Sequence, residues 1–134
     1  PYPVGVSICY EDVFPEEVRQ ALPTAAYLIN VSNDAWFGDS LAPHQHLEFA
    51  RLRALETGRP LVRATNTGIS ALIDHRGRVT AELGLFERGA LTGTIQPRAG
   101  ATPFVRLGSL PALSLAAALL LAGVLLGRVP RPPG

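Results

Sequence analysis

Short apolar runs alternate with polar, helix-like stretches from residue 1 to about residue 97. "VGVSI" (4–8), "YLINVS" (27–32) and "LVRAT" (61–65) are brief and rich in β-branched residues, as buried strands are. "PEEVRQAL" (15–22) opens with proline at a first-turn position, followed by two glutamates where the helix dipole favours acids. "HQHLEFARLRALETG" (44–58) predicts an amphipathic helix with Leu47, Ala50, Ala54 and Leu55 on one face, stopped by Gly58 and Pro60. "ISALID" (69–74) follows as a strand after "NTG". "HRGR" (75–78) turns into a strand "VTAEL" (79–83), and "ALTGTI" (90–95) is expected as the last one. Strand–helix–strand order followed by a hairpin predicts an α/β layered fold with a mixed sheet.

The pattern changes after residue 97. Twenty-one uncharged residues, "LGSLPALSLAAALLLAGVLLG", lie between Arg106 and Arg128. As a helix they would span roughly 31 Å, the thickness of a bilayer's hydrocarbon core. A helix in a soluble core would show a polar stripe, and this one has only Ser109 and Ser114, whose hydroxyls can bond back to the backbone. The expected layout is therefore a folded domain over 1–97, a linker over 98–106, a transmembrane helix over 107–127 and a short tail over 128–134. Arg128 and Arg131 beyond the helix favour a cytoplasmic C-terminus and an extracytoplasmic domain, while Arg98 and Arg106 on the other flank weigh against it.

Composition narrows the function. Twelve arginines and eleven acids give a net charge of +1, and the basic residues are scattered, so no nucleic-acid surface is expected. One cysteine excludes an internal disulfide and a cysteine-based zinc cluster. His44 and His46 are two residues apart in the predicted helix and do not share a face, so no metal site is expected. The 134-residue chain has neither methionine nor lysine and opens on a strand already under way, which reads as the C-terminal part of a longer protein.

Cys9 ends a buried strand and precedes a polar turn, the setting of a nucleophile elbow with backbone N–H groups facing an oxyanion. Acyl transfer through a thioester needs such a sulfur, a proton acceptor and oxyanion donors. Glu11 stands two residues on and could polarise the site. By local pattern alone, a lone cysteine at a strand end is more often a small packed residue than a nucleophile. "NVSNDAWFGDS" (30–40) follows a strand end, where α/β folds place their sites; it reads either as a pocket loop or as a turn-rich connection capped by Asn33 and Asp34 and plugged by Trp36. Arg51, Arg53, Glu56 and Arg59 read mostly as a solvated helix face. "RATNTG" (63–68) is a polar loop between strands, where a buried Asn or Arg could brace the site.

"GVSICYEDVFPE", "INVSNDAWFGDSLAPHQHLEFARLRALETGRPLVRATNTGISALID" and "GRV" together resemble the C-terminal half of the nitrilase, or carbon–nitrogen hydrolase, superfamily. With the terminal apolar helix, the ordered set is similar to its apolipoprotein N-acyltransferase branch over about residues 4–96. The resemblance implies an αββα sandwich. It makes Cys9 the nucleophile, the Tyr10 backbone N–H an oxyanion donor and Glu11 a supporting residue. Asn33, Asp34, Trp36 and Phe37 would line the substrate pocket, and Arg51, Arg53, Glu56 and Arg59 would brace the helix. It implies a phosphatidylethanolamine-like phospholipid as acyl donor and a diacylglyceryl-cysteine apolipoprotein as acceptor, at the extracytoplasmic face of a bacterial inner membrane, with no cofactor and no metal. The superfamily's Glu–Lys–Cys triad is incomplete here, because the chain has no lysine. Both absent members are expected upstream, and the chain by itself is expected to be inactive. The alternatives are a membrane-anchored amidase that uses water, or a non-catalytic tethered module.

Overall fold

A computed structural model describes residues 1–127; the expected tail, with Arg128 and Arg131, lies outside the described residues. Five strands form one sheet in chain order: β1 (Val4–Ile8), β2 (Tyr27–Ser32), β3 (Leu61–Thr65), β4 (Ser70–Ile73) and β5 (Val79–Leu83). β1, β2 and β3 run parallel, with Ser7 opposite Asn30 and Asn30 opposite Arg63. β4 and β5 continue antiparallel, so the mixed sheet expected from the pattern is present. The crossovers carry α1 (Pro15–Arg19) and α2 (Ala42–Thr57).

Alternation along the parallel strands sorts their residues onto two faces. Gly5, Ser7, Leu28, Asn30, Leu61 and Arg63 point under the helices and are buried. There Leu28 and Leu61 form one core with Val18 of α1 and Leu47, Ala50 and Ala54 of α2. Gly5 is required by close approach, since a Cβ there would lie 2.8 Å from Leu28 Cδ2 and 2.9 Å from Ala21 Cβ. The opposite face is open across β1 and β2: Val4, Val6, Ile8 and Val31 are exposed. The structure thus holds an α/β layer pair, one helical layer on one sheet, of the expected αββα arrangement.

Three local expectations change. α1 stops at Arg19, and the chain leaves it through turns over the next five residues. Residues 90–95 form no strand; Gly93 lies so close to the Leu72 side chain of β4 that a side chain there would collide with it. Leu55 is exposed, because the buried stripe of α2 runs through Pro43, His46, Leu47, Ala50, Arg53, Ala54 and Thr57. Gly58, in the left-handed region at φ 65°, ends that helix.

The apolar tail is also broken differently. Thr102 caps a short helix, α3 (Pro103–Leu107), by accepting the Val105 N–H, and Gly108 at φ 61° then turns the chain into α4 (Leu110–Gly127). Ser109 bonds across to α1 instead of back to its own helix: its N–H and its hydroxyl both donate to Glu16 Oε1, each at 2.9 Å. α4 has 18 residues with a mean hydropathy of 2.2 and buries none of them. It is long and apolar enough to cross a membrane, about 27 Å as a helix.

Candidate active site

The carboxyl ends of β1, β2 and β3 bring three connections together, as parallel α/β topology does. β1 ends at Ile8, and Cys9 opens a 3-10 turn, Cys9–Val13, with a φ of 53°. A non-glycine residue in that region costs roughly 1–3 kcal/mol, so its surroundings must enforce it. The strain turns the Cys9 side chain out of the pleat at the strand's end, as an elbow requires, and the residue is half-buried. Glu11 restrains the approach: its carboxylate accepts the Ile8 N–H at 2.7 Å.

Beneath Cys9 lies a group of buried polar side chains from five segments. Asp12 comes from the 3-10 turn, Asn30 from β2, Asp34 from the following loop, His46 from α2 and Arg63 from β3, and each is at most 2% exposed. His46 Nε2 donates to Asp12 Oδ1 at 2.9 Å, and Nδ1 donates to Asp34 Oδ1 at 3.1 Å. Arg63 reaches Asp34 Oδ2 at 2.9 Å, Asp12 Oδ2 at 3.3 Å and Asn30 Oδ1 at 2.6 Å. Two carboxylates face one guanidinium and one imidazolium, so the cluster is neutral as a whole and its members are hydrogen-bonded. That is the condition under which buried charge is tolerated.

The electrostatics agree with a protonated histidine. Burial works to discharge His46, but the hydrogen bonds to Asp12 and Asp34 outweigh it and raise its pKa to about 9. Burial likewise works to protonate Asp34. The hydrogen bonds from His46 and Ser32, with the Arg63 charge, outweigh it and lower its pKa to about 2. At neutral pH both His46 nitrogens therefore donate.

The residues expected at the site separate by depth. Cys9, Tyr10 and Glu11 sit together at the end of β1. Tyr10 is exposed, edge-on to Phe14 with ring centroids 6.1 Å apart. Asn33 is exposed; its Oδ1 accepts the Ala35 N–H at 3.1 Å and Asn66 Nδ2 at 2.7 Å, which fixes the loop. Asp34 is enclosed and braces the loop from inside, with Ser32 Oγ donating to Oδ1 at 2.6 Å. Phe37 packs its ring edge-on to His46 at 6.3 Å, and Trp36 projects outward, 85% exposed.

The charges expected on a solvated face of α2 are largely inside. Arg53 is buried, donating to the carbonyls of Asp12 at 3.2 Å and Val13 at 3.3 Å and pairing with half-buried Glu56 at 2.7 Å. Arg59 is buried under the carbonyls of Ala25 and Gly100, each 2.6 Å away. Half-buried Arg51 donates to the Gly77 carbonyl at 2.8 Å. They are inside because backbone carbonyls at loop ends require donors, which a periodicity reading does not register. Arg63 answers the expectation of a buried bracing residue in 63–68. Asp12, Asn30 and His46 were not singled out as site residues, although the "QH" of the ordered motifs contains His46, which is buried while His44 is exposed.

The chain is 58% identical over 119 residues to the apolipoprotein N-acyltransferase of Methylococcus capsulatus, covering 89% of this chain and 24% of that protein. It therefore spans about a quarter of the length of the curated relatives it matches. Among solved structures, Saccharomyces cerevisiae Nit3, a member of branch 10 of the nitrilase superfamily, superposes with a TM-score of 0.53 at 26% identity, covering 63% of this chain and 34% of its own. An amidase from Nesterenkonia sp. AN1, with the acetamide moiety of fluoroacetamide covalently added at its active-site cysteine, gives 0.51 at 28% identity over 61% of this chain and 34% of its own. The carbon-nitrogen hydrolase family profile matches residues 2–104, and the chain belongs to that family.

Proposed function

We propose that this chain carries the acyl-accepting cysteine of an apolipoprotein N-acyltransferase. The observation that carries the reading is Cys9 at a positive-φ elbow, at the carboxyl edge of the parallel strands, in a chain that also carries an unburied apolar helix, Leu110–Gly127. In the first step the Cys9 thiolate attacks the ester carbonyl of a phospholipid of the phosphatidylethanolamine kind. A C–S bond forms, the C–O bond breaks, and the lyso-phospholipid leaves as an alcohol after taking up a proton. In the second step the α-amine of a diacylglyceryl-cysteine attacks the thioester. A C–N bond forms, the C–S bond breaks, the amine loses a proton, and the thiolate is restored. The Tyr10 N–H stabilises the oxyanion in both steps, Glu11 supports the elbow, and Asn33, Trp36 and Phe37 border the acyl entrance, with Asp34 holding their loop from beneath.

Proton transfer requires a base, and oxyanion stabilisation gains from a cation. A Glu and a Lys in the remainder of the protein would supply these, so the 134-residue chain alone is expected to be inactive. The open face of β1 and β2 is the surface against which the second sheet of the αββα sandwich would pack. α4, as a transmembrane helix, holds the domain at the extracytoplasmic face of a bacterial inner membrane. Both substrates are lipid-anchored, and a tether raises their effective concentration at Cys9.

The test is a transfer assay on the full-length protein with acyl-labelled phosphatidylethanolamine and a diacylglyceryl lipopeptide. Label on the lipopeptide amine supports the reading. Label released as free fatty acid, with or without lipopeptide, makes the protein a hydrolase. Transfer that survives Cys9→Ser removes Cys9 from the reaction.

A further inference from the structure

The strained backbone at Cys9 is restrained on both sides. On the strand side, Glu11 holds the Ile8 N–H at 2.7 Å. On the far side, two donors converge on the Cys9 carbonyl oxygen, Asn30 Nδ2 at 3.2 Å and His46 Nε2 at 3.2 Å. They come from β2 and α2, distant in sequence from Cys9 and from each other.

Neither donor is free to turn away. Asn30 Oδ1 accepts Arg63 Nη1 at 2.6 Å, which fixes the amide so that Nδ2 points at Ser7 Oγ (3.0 Å) and the Cys9 carbonyl. The His46 ring is held at its two nitrogens by Asp12 and Asp34, and its Nε2–H is shared between Asp12 and the carbonyl. The paired charges below thus aim two donors at one backbone oxygen.

Planarity of the peptide bond gives that oxygen its importance. In a trans peptide the carbonyl and the following N–H point to opposite sides. Anchoring the Cys9 carbonyl inward turns the Tyr10 N–H away from the buried cluster. If the Cys9–Tyr10 plane rotated, the carbonyl dipole would replace the N–H at the reacting centre. We propose that Asn30 and His46 are positioning residues that lock the Cys9–Tyr10 peptide plane and so present the Tyr10 N–H to the oxygen of the acyl group. The inference rests on the reading of Cys9 as the acyl carrier and of the Tyr10 N–H as an oxyanion donor.

Two reactions at the same sulfur separate this role from general support of the fold. Acylation by phosphatidylethanolamine passes through an oxyanion and needs the N–H. Alkylation by iodoacetamide displaces iodide from a saturated carbon and forms none. In the full-length protein, Asn30→Asp keeps the side-chain shape and the acceptor facing Arg63, but turns the donor facing Cys9 into an acceptor. Its single-turnover acylation of Cys9 is expected to fall by about 10²-fold, the size of losing one oxyanion donor. Its alkylation rate, compared at equal thiolate fraction after the Cys9 pKa of each protein is read from the pH dependence of alkylation, should stay within about threefold of wild type.

His46→Gln, which keeps a donor near Nε2 but lacks the second anchor, should show a smaller selective loss of about tenfold on the same scale. It carries the test if the Asp variant lacks a cooperative melting transition. Acylation at the wild-type rate in the folded variants overturns the inference, as does an equal fall in both rates. A wild-type Cys9 that alkylates normally and takes no acyl group overturns the reading of Cys9 as acyl carrier, and this inference with it.

Discussion

The two faces of the parallel strands invert the usual arrangement of polar and apolar residues. Under the helices, beside Leu28 and Leu61, lie Asn30 and Arg63, joined there by Asp12, Asp34 and His46. On the other face Val4, Val6, Ile8 and Val31 are exposed. A sheet selected for stability alone would reverse these positions, since well-packed apolar residues commonly replace a buried ion pair with no loss of stability. The difference is one of task. The covered face holds charges where they fix a strained backbone at one end of the strands, and the open face keeps an apolar surface of the kind that marks an interaction site.

The largest effect expected on this comparison comes from the cysteine that the covered face supports. Cys9→Ala in the full-length protein should abolish acyl transfer while leaving the melting temperature near wild type, because a half-buried thiol contributes little packing; a radiolabel transfer assay beside a thermal scan reads both. Next is the cation that binds the cluster together. Arg63→Met leaves Asp12 and Asp34 buried against His46 alone, and should destabilise the domain by about 3–5 kcal/mol in denaturant unfolding, the cost of breaking a buried pair.

The pH dependence follows with its sign. The raised pKa of His46 means that its contribution is complete below the unfolded value near 6.5 and is lost as pH rises through about 9. The lowered pKa of Asp34 makes its contribution complete above 3.8, and that is lost as pH falls through about 2. Melting temperature should therefore decline between pH 7 and pH 10, by an amount on the order of 3 kcal/mol of stability. His46→Gln should flatten that alkaline limb. A smaller effect tests how closely the loop is fitted over the cluster. At Gly68 a Cβ would lie 2.8 Å from Asp34 Cβ and Cγ, so Gly68→Ala should cost about 1–3 kcal/mol in the same unfolding experiment.

What was legible in the sequence follows the same division. β1, β2 and β3 fall where the short apolar runs place them, because burial under helices imposes a composition that local pattern reveals, and β5 falls where the turn at 75–78 sets its start. The segment 90–95 has the same appearance but no ladder partner, and its Gly93 is set by contact with Leu72, a tertiary fact. The elbow at Cys9 was readable from its place after a strand. The cluster below it was readable only at Arg63, where a buried brace was expected; Asp12, Asn30 and His46 come from separate segments, Asp12 lying 51 residues from Arg63. Only their mutual satisfaction makes burial tolerable, and a linear pattern does not show which charges will meet. Arg53 and Arg59 were placed outside for the same reason; each is held by carbonyls at the ends of distant elements.

The most direct test of the central claim is the intact mass of the full-length protein after incubation with phosphatidylethanolamine and no acceptor. The expected result is a mass increase of one fatty acyl group, mapped to Cys9, labile to hydroxylamine as a thioester is, and discharged when the diacylglyceryl lipopeptide is added. A protein that transfers acyl groups while Cys9 remains an unmodified thiol throughout would contradict it.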